Sequence, residues 1–161
     1  MLGIVAEGPT HGFALAQLLA ADGAVGRVWT LGRPVVYQAL RRLEQDGLVR
    51  KRSRERSDRG PQRTILDVTT EGRRVVDRWL EQPVDHVRDV RSLLLLKLAL
   101  LERAQRDRRV LLEAQRDLLM PRLASLEHQR ADCGGFDRIL VEWRLASSTA
   151  TLRFIEAIGS A

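Results

Sequence analysis

Four side chains within residues 33–46 have the groups needed to read the edge of a DNA base: Gln38, Arg41, Arg42 and Gln45. Arginine donates two parallel hydrogen bonds to guanine in the major groove, and glutamine pairs with adenine in the same bidentate way. At the angular step of an α-helix all four fall on one arc, opposite Val36, Leu40 and Leu43. A polar outer face is the default of any amphipathic helix, so this face by itself names no ligand. The following stretch adds a second chemistry. RKRSRERSDRGPQR, residues 50–63, holds seven basic residues, two acidic ones and nothing apolar. Cations at that density suit a phosphate backbone. Lys51, Arg54, Arg56 and Arg59 are the candidates for it, with Arg33 at the start of the helix.

These residues form a surface only if a fold holds them there. RPVVYQALRRLEQDGL is the clearest helix in the chain. Pro34 suits its first turn, where a missing N–H breaks no helical bond, and Gly47 is placed to end it. Upstream, Thr10 is positioned to cap a helix carrying Leu15, Leu18 and Leu19, with His11 in its first turn and without a chemical role. ADGAVG, residues 21–26, reads as a loop. Downstream, RTILDVT (63–69) has the β-branched and apolar content of a strand, and Thr69 caps a helix that buries Val75, Val76, Trp79 and Leu80. The basic run between them reads as a β-hairpin. Val49 to about Glu55 form one arm, RSDRGP a long tip with the turn residues Asp58, Gly60 and Pro61, and Gln62 to Val68 the other arm. The competing reading is a solvated loop with incidental charge. Helix, helix, strand, turn, strand, helix is the order of a winged helix-turn-helix.

The chain changes character after residue 82. Residues 1–80 carry fourteen Arg/Lys against nine Asp/Glu, whereas residues 81–161 carry thirteen against twelve. Almost all of the net charge of +6 therefore lies in the first half, where an acidic partner would meet it. Three helices are expected in the second: RSLLLLKLALLERA, buried over most of its circumference; residues 106–131, bent or split at Pro121; and Asp137 to Ile158. The last presents Leu140, Trp143, Ser147, Ala150, Phe154 and Ile158 on one stripe, too long an apolar face to leave in water. The expected architecture is mainly α with a small β-hairpin. It has a winged-helix domain over 1–82 and a helical dimerisation domain over 83–161, with Leu140, Trp143, Ser147, Phe154 and Ile158 at the dimer contact. Small side chains in ASSTAT (146–151) also leave room for a flat aromatic effector against Trp143, Ser147 and Phe154.

Several classes of function are set aside by composition. No apolar run approaches the roughly 18 residues a membrane helix needs, and MLGIVAEGPTHG has neither a basic n-region nor a cleavage site. A lone cysteine, Cys133, forms no internal disulfide and fits a reducing cytoplasm, as an inert thiol or, less plainly, a redox sensor. Cys133 with His128, and His86 with Asp85 and Asp89, supply neither an oriented base for a nucleophile nor the ligand set of a zinc site. No enzyme, cofactor or metal is expected. Two classes remain, a DNA-binding regulator and a winged helix used only for protein assembly. The second has no need of arginine on both the exposed helix face and the hairpin.

Three stretches carry a family resemblance: EGPTHGFALAQLL (7–19), VYQALRRLEQDGLV (36–49) and VTTEGRRVVDRWL (68–80). In this order and at this spacing they resemble the PadR family of bacterial winged-helix transcriptional regulators. LLLLKLALL and LLEAQRDLL are similar to the family's C-terminal helical region. The resemblance implies a homodimer on near-palindromic operator DNA, repressing nearby genes and released by a small molecule. It also assigns Tyr37 as the recognition-helix tyrosine and Arg63 as the wing arginine. Two departures stand out. GRP (32–34) replaces a Ser-Pro-Gly-like turn, removing a hydroxyl from the helix start, and MLGIVAE supplies under two turns of a usually longer first helix.

Overall fold

Helical spacing of apolar residues in the first eighty positions becomes helices α1 (Leu2–Val5), α2 (Gly12–Leu18), α3 (Arg33–Gln45) and α4 (Thr70–Glu81). An antiparallel hairpin, β1 (Val49–Ser57) and β2 (Gly60–Val68), lies between α3 and α4. The computed structural model describes residues 1–57 and 60–159, with the backbone alone at 56, 57, 60 and 61. The chain is mainly helical with a two-stranded sheet, and the order of elements is that of a winged helix-turn-helix. Leu15, Leu19, Val25, Val36, Leu40, Val49, Val68, Val76 and Leu80 are buried as the core of this part.

α3 forms where expected, with Pro34 in its first turn and Gly47, at φ +70°, turning the chain out of it. That left-handed backbone suits glycine because it has no Cβ to clash. Thr69 then ties four elements together. Its hydroxyl donates to Gly47 O (2.8 Å) and accepts from Gly72 N–H (3.0 Å), while its own N–H donates to Leu48 O (3.0 Å).

Two local expectations need correction. Thr10 does not cap α2. It exchanges backbone hydrogen bonds with Leu66 (3.0 and 2.7 Å), so the cap falls to the next residue, and His11 Nδ1 accepts from Ala14 N–H at 3.1 Å. His11 therefore has a structural role, as the N-cap of α2. The hairpin arms are also longer than expected: pairing continues from Val49↔Val68 to Ser57↔Gly60, through register shifts between Lys51 and Ser53 and between Glu55 and Ser57. Bulges of this kind let two strands of unequal spacing stay paired, which composition does not announce. Asp58 and Arg59, expected in the tip, lie outside the described residues.

The remaining chain holds a 3-10 turn (Val87–Asp89), a π-helical turn (Val90–Leu94), and helices α5 (Leu95–Arg103), α6 (Arg109–Asp132) and α7 (Gly135–Gly159). The molecule divides into two compact units. One is Met1–Leu80 with Leu96–Arg106, and the other is Glu81–Leu95 with the chain from Asp107 onward. The first unit thus includes most of α5. There Leu100 and Leu101 are buried, Arg103 pairs with Glu7 (2.6 Å), Arg106 pairs with Asp77 (2.5 Å), and Lys97 Nζ lies 4.8 Å from the Trp79 ring centre.

In the second unit α6 runs through Pro121 as one helix, so the split expected there does not occur. Pro121 and Asp117, whose carbonyl loses its helical donor, are both exposed, so water can take up the free acceptor. The inner face of α6 is Leu111, Leu112, Gln115 and Leu119, and that of α7 is Val141, Ser148, Thr151 and Ile155. Glu142 Oε1 accepts from Arg130 Nε and Arg138 Nε (2.8 Å each), linking the end of α6 to α7. Those two hydrogen bonds, Arg130's first, hold the Glu142 carboxyl below the ordinary carboxylate range. No described helix is long and apolar enough to cross a membrane.

Gln115 is the most buried of the described polar residues in this core, 1% exposed. Its Oε1 accepts from Val84 N–H (2.7 Å) and its Nε2 donates to Val84 O (3.0 Å). Gln115→Leu keeps the volume but strands both backbone groups, so it should destabilise the protein by about 2–4 kcal/mol. In urea denaturation the midpoint should fall with an unchanged m-value. An unmoved midpoint would show that these bonds do not hold the connector.

Candidate nucleic-acid interface

α3 turns its apolar side inward and leaves Tyr37, Gln38, Arg41, Arg42 and Gln45 exposed. Tyr37, Arg41 and Glu44 recur at helical spacing on the side of α3 nearest the hairpin. There they form one wall of a groove of about 660 Å³. Lys51 of β1 and Gln62, Arg63 and Thr64 of β2 form the facing wall, and His11, Gly12 and Phe13 close one end. β1 packs beside α3, and its pairing with β2 through Val49↔Val68 and Lys51↔Leu66 brings the second strand to the same groove.

The structure brings together four of the DNA-binding candidates: Tyr37, Arg41, Lys51 and Arg63. Gln38, Arg42 and Gln45 lie on the adjoining outer face of α3 and do not line the groove, so Arg41 stands at the seam between the two surfaces. Arg33 sits at the helix start with its guanidinium 5.3 Å from the Phe13 ring centre. Arg54 is exposed on β1, opposite Thr64. Arg56 is on the same strand, and Arg59 lies outside the described residues.

Three further groove residues, His11, Phe13 and Glu44, are not marked by spacing or composition. His11 and Phe13 lie at the start of α2, and only the tertiary fold carries them to α3. Glu44 reads as one more polar residue of an amphipathic helix, yet its Oε1 lies 2.7 Å from Lys51 Nζ. Gly12 also acquires a reason. A Cβ there would lie 2.6 Å from Tyr37 Cε1, so the bare glycine lets the tyrosine ring pack down on the start of α2. Larger side chains at position 12 would move the ring.

In the second unit, Trp143 is 70% exposed, while Leu140, Ser147, Phe154 and Ile158 are half-buried. Phe136 and Ile139 join Trp143 as large exposed apolar residues near the start of α7. Of two grooves between α6 and α7, one of about 340 Å³ has Cys133, Leu140 and Arg144 in its lining, and one of about 420 Å³ has Ala146 and Arg153. Trp143, Ser147 and Phe154 line neither. Among the described residues no group of three or more His, Cys, Asp and Glu side chains is placed to hold a metal.

Residues 1–78 match the model of the "Transcriptional regulator PadR-like family". No curated protein matches the chain. Among solved structures, PadR from Bacillus subtilis, described in complex with operator DNA, is 16% identical, with 99% of this chain and 93% of that one covered at a TM-score of 0.49. The smu.1604c protein of Streptococcus mutans is 17% identical, with 99% and 96% covered at a TM-score of 0.45. The family match spans the whole stretch that builds α1 to α3, the hairpin and most of α4. Residues 1–78, which supply every residue lining the groove, are thus similar to the PadR-like family of transcriptional regulators.

Proposed function

We propose that this regulator binds DNA sequence-specifically, as a homodimer on a near-palindromic operator in the cytoplasm, and represses nearby genes until a small aromatic effector releases it. The observation that carries the DNA reading is the convergence of Tyr37 and Arg41 of the helix with Arg63 of the hairpin on one groove. In this reading α3 enters the major groove, where Gln38, Arg41, Arg42 and Gln45 reach base edges. Arg54, Arg56 and Arg59 of the hairpin meet phosphates, with Arg33, Tyr37 and Arg63 between the two zones. The homodimer is supported by Phe136, Ile139 and Trp143, which extend the stripe of Leu140, Ser147, Phe154 and Ile158 along α7 as a face a second copy would cover.

Binding to the duplex upstream of its own gene and to a scrambled duplex, across a salt series, tests the division of labour. Arg41→Ala should cost about 1–3 kcal/mol on the operator and relax preference at one base position. Arg54→Ala or Arg56→Ala should instead weaken both duplexes and lower the salt slope by about 0.9 for each phosphate left without its cation. A wild-type protein that binds neither duplex would favour an assembly module.

Trp143→Glu places a charge in the proposed dimer face. Light scattering should show monomers, and operator affinity should drop as the dimer dissociates; a variant that stays dimeric would move the interface elsewhere.

For the effector, planar aromatic compounds should quench tryptophan fluorescence and weaken operator binding over the same concentration range, because a ligand shifts an equilibrium only by its differential affinity. Trp143→Phe should abolish most of that quenching. Quenching without any change in DNA affinity would leave Trp143, Ser147 and Phe154 as packing residues.

A further inference from the structure

Among the residues that line the groove, Arg41, Lys51 and Arg63 are cationic and Glu44 alone is a carboxylate. Glu44 is not merely near the cations. Its Oε1 sits 2.7 Å from Lys51 Nζ, joining α3 to β1 across the groove. The two side chains keep 36% and 58% of their exposure, so water surrounds the pair and its contribution to folding is slight. An ion pair of this kind is easily exchanged for another anion. The anion expected in this groove is a DNA phosphate.

We infer that Glu44 is an intramolecular competitor for phosphate, holding Lys51 on α3 and so restraining the sequence-independent part of DNA binding. The inference rests on the DNA-binding reading above and refines it, since Lys51 then belongs to the recognition helix's own ion pair and not to the set of phosphate-binding cations. The charge balance gives the direction of the effect. Each cation that neutralises a phosphate releases counterions and adds about 0.9 to the salt slope. A lysine already neutralised by a carboxylate releases none. The carboxylate also repels any phosphate that approaches Lys51. An ammonium is a compact point charge, so one well-placed carboxylate satisfies most of its attraction. Glu44 holds Lys51 in this way, whereas Arg41 and Arg63 line the same groove and present their charge to DNA.

Three variants of the full chain, Glu44→Gln, Lys51→Gln and the double variant, test this on scrambled and operator duplexes across a salt series. Glu44→Gln preserves shape and removes the charge. It should raise affinity for both duplexes about two- to fivefold at low salt, within the range of one exposed ion pair, and steepen the salt slope by about 0.9. Lys51→Gln should leave the slope close to that of the wild type, and the double variant should return affinity and slope towards the wild type. Thermal melts of all three should stay close to the wild type, which separates these effects from misfolding. If Lys51→Gln lowers the slope by about 0.9 while Glu44→Gln leaves it unchanged, Lys51 already touches phosphate and the inference falls. It falls equally if Glu44→Gln weakens binding. Wild-type protein that binds neither duplex removes the DNA-binding reading itself, a result distinct from either.

Discussion

The geometry of the proposed DNA face depends on one threonine. Where α3 ends, β1 begins; where β2 ends, α4 begins; and Thr69 bonds to Gly47 and Leu48 on one side and to Gly72 on the other. A helix and a hairpin joined only by a short turn could adopt many mutual angles. The hydroxyl of Thr69 limits that freedom by satisfying a carbonyl just past α3 and a free amide in the first turn of α4 together, the helix-end groups that otherwise need water. With both anchored, the walls of the groove are held at a spacing where Glu44 can reach Lys51 and where Tyr37 can rest on Gly12. Recognition by rigid elements of this kind is more exact than recognition by loops.

The second unit uses polar groups differently. Gln115 shares the buried face of α6 with Leu111, Leu112 and Leu119 and directs both ends of its amide to a single backbone residue, Val84. This pair of hydrogen bonds makes the connector after α4 part of the α6 core. Towards its C-terminal end α6 buries less, and the charged cluster of Arg130, Arg138 and Glu142 takes over as its link to α7. That cluster is exposed and gives direction more than strength. The region where α6 and α7 are held mainly by charge is also where Phe136, Ile139 and Trp143 face solvent.

Much of the architecture was legible because its signals are local. Pro34, Gly47 and Thr69 mark element ends by backbone chemistry that acts within a turn, and Val36 and Leu40 declare the buried side of α3 by spacing alone. What escaped was settled by partners distant in sequence. Thr10 has the chemistry of a cap, but pairing with Leu66 claims its backbone and His11 takes its place. Pro121 has the chemistry of a break because proline removes a donor, but the loss falls on an exposed carbonyl. The cations of the groove could be read from their density, whereas the Glu44–Lys51 pair depends on the hairpin's position beside α3.

The return of Leu96–Arg106 to the first unit alters what that unit is as a physical object. A winged helix ending at Leu80 would lack Leu100 and Leu101 in its core and would leave Glu7 and Asp77 without Arg103 and Arg106. The chain closes the first unit only after an excursion through residues belonging to the second, so a cut at the end of α4 severs a loop and does not separate two beads on a string. Loosening residues 81–95 lengthens the tether on which that closing segment returns, and the added loop-closure entropy weighs against the first unit. Connectivity thus links the two units in one direction: releasing residues 81–95 leaves the first unit its contacts but makes the return of its closing segment entropically more costly.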